Sequence, residues 1–170
     1  DPATGASGGG LGAAVEVLAS AGVGVVFLPH CDGTEPSADD LAMAHRLTAA
    51  TKVPLVVADP MPPDHLAVSL IRRASVTVGS RFHLSVLGAG AGVPAVAFVD
   101  DLPDQAKAAS LAAEWPDHVV AVALPAPDAV VAGATREALA RGPQSPLPAW
   151  SPIEFIEALR AAAPVLDTRT

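Results

Sequence analysis

Apolar residues along this chain fall into five short runs, and the stretches between them repeat apolar positions at the helical period. The runs are Val23–Leu28, Val53–Ala58, Ser75–Val78, Ala95–Val99 and His118–Leu124. Between them, Leu11–Ala21 places Leu11, Val15 and Leu18 on one helical face, and Ser37 is the N-cap of a helix to about Ala50 with Asp39 and Asp40 in its first turn. Asp64–Ala74 follows the same period through Leu66, Ala67, Leu70 and Ile71. A fourth helix starts at Arg81 and is ended by Gly92 and Pro94, a fifth holds Lys107 and ends near Trp115, and a sixth covers roughly Pro127–Arg141. Ser151–Arg160 reads as a terminal helix with Pro152 at its first position. Five strands alternating with helices at this spacing predict an α/β fold: a doubly wound parallel sheet, Rossmann-like, of about five to six strands flanked by helices.

The Gly-rich residues 1–10 read as a flexible lead-in or linker remnant, and residues 11–170 as a single domain with a terminal helix and tail over 151–170. No leader is visible before the first helix, and no uninterrupted apolar run is long enough to span a bilayer.

Composition narrows the functional classes. The chain has 170 residues, 51% of them hydrophobic but only 4% aromatic, which suits a core of small aliphatic side chains. Its formal net charge of -8 argues against a nucleic-acid partner, which calls for a basic stripe. Against that background Arg72, Arg73 and Arg81 cluster locally, a pattern that suits a small anion. Arg72 and Arg73 fall in the last turn of their helix, where the dipole alone explains them. The single Cys31 rules out an intrachain disulfide and a thiolate zinc site, so a reducing, cytoplasmic setting is expected. The His and Asp residues show no metal-ligand spacing, and no metal is expected.

The strongest chemical signal is Gly79-Ser80-Arg81-Phe82-His83, where a strand breaks into a helix. A helix N-terminus presents unpaired N–H groups and partial positive charge, Arg offers a fork of donors, and His can donate or transfer a proton near neutral pH. Gly79 is expected to let the backbone turn into the helix, and Gly88 and Gly90 to let that helix approach the sheet or a ligand closely. On spacing alone, an Arg paired to a nearby Asp and a His satisfied in the core explain the segment equally well. A second ligand-facing turn, Pro29-His30-Cys31-Asp32-Gly33, ends the first strand, and strand C-termini are where ligands bind in open α/β sheets.

Val25–Phe98, with Pro29-His30, the helix leading into Ser75-Val-Thr-Val, Gly-Ser-Arg-Phe-His and Ala-Gly-Val-Pro-Ala-Val, resembles the C-terminal half of the polysaccharide pyruvyl transferase family. The resemblance implies a GT-B-type half-domain that binds phosphoenolpyruvate as donor substrate, with no further cofactor. The activity it implies is transfer of the enolpyruvyl group to sugar hydroxyls as a ketal. It further implies that Arg81 and His83 carry the chemistry, with His30 the next candidate beside its plain reading as a loop histidine capping a turn, that Gly79, Ser80, Arg81, Phe82, His83 and Asp32 line the substrate, and that an N-terminal domain completes the cleft for the acceptor sugar. In the family a Tyr and a Lys commonly follow the strand after Gly-Val-Pro; here Phe98-Val-Asp-Asp leads to Lys107, and the chain has no Tyr. Two other readings stand beside this one. One is the nucleotide-sugar-binding half of a GT-B glycosyltransferase or epimerase, and the other is a catalytically inactive binding or interaction module.

Overall fold

The computed structural model describes residues 9–30, 40–58, 63–100 and 102–144. The expectations for Cys31, Asp32, Ser37, Asp39 and Asp101, and for the helix over 151–160, lie outside these residues. Among the described residues six helices alternate with five strands: α1 Gly9–Ser20, β1 Val25–Phe27, α2 Asp40–Thr51, β2 Leu55–Val57, α3 Asp64–Ile71, β3 Thr77–Gly79, α4 Phe82–Gly90, β4 Ala95–Val99, α5 Leu102–Glu114, β5 Val119–Ala123 and α6 Asp128–Arg141. All strand pairings are parallel, and the class is the α/β one expected.

The strands are divided between two sheets, β1-β2 and β3-β4-β5, where one continuous sheet is expected. The cause is local. Gly24 and Pro29 bracket β1 and Pro54 precedes β2, so each keeps only three ladder residues, as does β3. Val26 pairs with Val56 in register, and these two residues are 48% and 66% exposed, so one face of the smaller sheet is uncovered among the described residues.

The larger sheet holds the core. Along β4 every residue is buried, and the side chains alternate between two apolar clusters. Val96 and Phe98 join Val122, Ala14 of α1 and Val131, Ala134 and Ala138 of α6. On the opposite face Ala95, Ala97 and Val99 join Val119, Ala89 of α4 and Ala108 and Leu111 of α5. Helices on both faces make this half doubly wound.

Helix α4 is fixed at its C-terminal end. Gly92 takes φ of 76°, its N–H bonds to Ala89 O at 2.9 Å, and Val93 N–H bonds to Gly88 O at 2.9 Å, the paired bonds of a Schellman cap. A Cβ on Gly88 would lie 2.6 Å from Thr77 Oγ1, so Gly88 permits the close approach of α4 to β3. Two glycine expectations are corrected. A Cβ on Gly90 would meet nothing within 4 Å, because it faces solvent. Gly79 is a strand residue paired with Ala97, and its small size makes room for the Leu84 side chain instead of a left-handed turn.

Helix α3 stops at Ile71, three residues before the expected end, and Arg72 and Arg73 lie just beyond it, both exposed. Gly88→Ala is expected to lower unfolding free energy by about 1–3 kcal/mol, since Thr77 is buried and must shift. Urea denaturation reads this as a lower midpoint, whereas Gly90→Ala on the exposed side should raise it slightly.

Candidate functional site

The C-terminal ends of β1 and β3 are joined by a carboxylate. Asp40, the first residue of α2, accepts the backbone N–H of His30 on Oδ2 at 2.7 Å and Nη2 of Arg81 on Oδ1 at 3.1 Å. His30 follows β1 by three residues and Arg81 follows β3 by two, as the N-cap of α4. One side chain therefore brings together two turns that lie far apart in the sequence. The Asp40 side chain is 17% exposed and that of Arg81 42%, so the pair is anchored on the inner side and open to solvent on the outer.

Arg81 is thus paired to a nearby Asp, one of the alternatives its spacing leaves open. The pairing leaves the outer part of the guanidinium at the surface, beside the first turn of α4. An α-helix leaves its first N–H groups without intrahelical acceptors and carries partial positive charge there. His83 is exposed on that turn, with its ring edge-on to Phe82 at a centroid distance of 6.3 Å and an interplanar angle of 72°. Ser80 is also exposed.

His30 differs from His83 in its surroundings. Its Nε2 is buried and has no hydrogen-bond partner, a state that calls for a ligand or solvent atom. Burial lowers its pKa below the ordinary value of 6.5; Arg81 and His83 push the same way, and Asp40 opposes them. His30 is therefore a neutral imidazole at pH 7, able to accept a proton.

Gly79, Ser80, Arg81 and Phe82 line a cavity with Ser85 and Asp104, but its volume is about 10 Å³, no more than the space of one water. Any phosphorylated ligand would have to lie on the solvent side of Arg81 and His83. A larger open hollow of about 560 Å³ lies between α1, α2 and α6, lined by Glu16, Thr51, Asp128 and Arg136 among others, and contains none of these residues. Lys107 forms an ion pair with Asp104 at 2.7 Å within α5. Among the described residues, no three His, Cys, Asp or Glu side chains are grouped as metal ligands, and no helix is long and apolar enough to cross a membrane.

The model of a family described as polysaccharide pyruvyl transferase matches residues 13–101, just over half of the chain. The chain belongs to the polysaccharide pyruvyl transferase family. The pyruvyl transferase match runs from α1 to the end of β4 and so takes in His30, Asp40, Arg81 and His83 together. No curated protein and no solved structure matches the chain.

The structure brings Arg81 and His30 together through Asp40 and puts Ser80, Phe82 and His83 at the adjoining helix start. Asp32 lies outside the described residues. Asp40 is the residue that sequence reasoning missed as part of the site, because an acidic residue in a first turn is explained by the helix dipole. Its position at the start of the helix that follows the β1 turn was the signal that could have raised it.

The lowered pKa of His30 has a stability consequence. Unfolded chains protonate this residue near 6.5 and the folded protein only at lower pH, so the unfolded state binds more protons between the two values. This contribution is complete above 6.5 and is lost as pH falls through that value toward the folded pKa. His30→Gln should flatten the fall in urea midpoint between about pH 7.5 and about pH 5, above the range where ordinary carboxylates titrate.

Proposed function

We propose that this chain is the phosphoenolpyruvate-binding half of a pyruvyl transferase that forms pyruvate ketals on sugar hydroxyls of a cell-surface polysaccharide or glycoconjugate. The observation that carries this reading is the joining of Arg81 and His30 through Asp40 beside the N-terminus of α4, within the family match. The donor carries two anionic groups, a phosphate and a carboxylate, and Arg81 with the first amides of α4 suits one of those groups.

In the reaction, the methylene carbon of phosphoenolpyruvate takes up a proton and becomes a methyl group. One sugar hydroxyl adds to the neighbouring carbon and gives up its proton. The bond from that carbon to the phosphate oxygen breaks with its electron pair, and a second hydroxyl adds, releasing its own proton to complete the ketal. Arg81 stabilises the departing phosphate, and His83 supplies a hydrogen bond or the proton. His30, kept neutral by burial, accepts a proton from an attacking hydroxyl. Gly79, Ser80 and Phe82 shape the donor side, with Asp32 in the adjoining turn. The acceptor sugar belongs in a cleft completed by an N-terminal domain, no cofactor beyond the donor is invoked, and a cytoplasmic location goes with use of this donor.

Phosphoenolpyruvate at one hundred times its Kd should add about 2.7 kcal/mol of stability. For a chain of this size that is a rise in Tm of roughly 5–10 °C. Arg81→Ala should abolish the rise, and UDP-sugars should produce none. A shift with UDP-sugars and none with phosphoenolpyruvate would transfer the reading to a nucleotide-sugar-binding half-domain, and no shift with any anion would favour a non-catalytic module.

A further inference from the structure

We infer that Asp40 is the positioning residue of this anion site, setting the distance and orientation between Arg81 and His30. The inference rests on the phosphoenolpyruvate reading of the site and extends it to a residue that touches neither donor nor acceptor. Three observations lead to it. Among the described residues the two sheets share no hydrogen-bonded ladder, so ladder pairing there does not fix where the end of β1 sits relative to the end of β3. Asp40 spends one carboxylate oxygen on each of those ends, at 2.7 Å to His30 N–H and 3.1 Å to Arg81 Nη2. Its side chain is mostly buried while that of Arg81 is substantially exposed, so the fixed partner is the carboxylate and the working surface is the guanidinium.

A carboxylate is well suited to this task because both oxygens accept and neither donates. Asn has one acceptor oxygen and an amide N–H₂, so it can serve one of the two donors but meets the other with N–H against N–H. Ala serves neither. Asp40 also places negative charge beside Arg81, which lowers the attraction of the site for anions in general. Its benefit is therefore restricted to a ligand that spans from Arg81 to His30, as phosphoenolpyruvate does with one anionic group on Arg81 and its reacting carbon toward His30, and a single small anion does not.

The test compares phosphoenolpyruvate and inorganic phosphate binding by calorimetry in the full chain carrying Asp40→Ala, Asp40→Asn or Arg81→Ala. Asp40→Ala should weaken phosphoenolpyruvate binding by about ten- to hundredfold, the scale of hydrogen bonds to charged groups. Phosphate affinity should stay within about threefold of the parent or rise, since the opposing charge is gone. Asp40→Asn should fall between. The His30 ring should titrate at lower pH in Asp40→Asn than in the parent by NMR, because the carboxylate opposes the downward push of Arg81, His83 and burial. A folded Asp40→Asn protein with parental phosphoenolpyruvate affinity overturns the inference. So does an unchanged His30 titration, or an equal loss of both ligands. Should Asp40→Ala fail to fold, Asp40→Asn carries the comparison. Folded Arg81→Ala with undiminished phosphoenolpyruvate binding would instead remove the donor-site reading itself, whatever the Asp40 variants do.

Discussion

Strand β4 has to satisfy two apolar layers at once. Sitting between β3 and β5, it has no solvent-facing side, so all five of its residues are buried and its successive side chains enter opposite clusters. Small residues on one side, Ala95 and Ala97, admit α4 and α5 closely; Val96 and Phe98 on the other fill the space beneath α1 and α6. The elements that position Arg81 and His83 are referred to this strand, because β3 pairs with it directly and α4 packs on its Ala face.

The smaller sheet is outside that control. Among the described residues β1 and β2 have only each other for pairing, and one face of their central pair is open. The site therefore straddles a stiff half and a less constrained one: Arg81 and His83 belong to the first, His30 to the second. A mostly buried carboxylate at the seam gives the combined surface a defined geometry where the backbone does not.

The sequence was most legible where punctuation and pattern agree. Gly92 and Pro94 after an apolar helix, followed by five apolar residues, fix the end of α4 and the extent of β4, and the structure has both at those positions. The sequence overextends β1 and β2 because apolar character continues past the point where Gly24, Pro29 and Pro54 end useful pairing. The continuity of the sheet could not be read, since whether β1 joins β3 depends on the placement of segments far apart in the chain. The same holds for Asp40: its helix-start position is local information, whereas its bond to Arg81 spans 41 residues and leaves no periodic trace. Gly90 and Gly79 show the converse limit, as composition identifies a glycine without saying whether a neighbour presses on it.

The contact at Gly88 bears on chemistry some distance away. Helix α4 has nine residues and behaves as a short rod about 13 Å long, clamped near its C-terminus by the approach to Thr77 and carrying Arg81 at the other end. A shift forced at that contact is carried along the helix toward its N-terminal end. The hydrogen at the α-carbon of residue 88, where any other amino acid would carry a side chain, thus acts as a spacer for an electrostatic site it never approaches. The geometry of the candidate site is accordingly exposed to change at a position that surveys of pocket-lining residues would pass over.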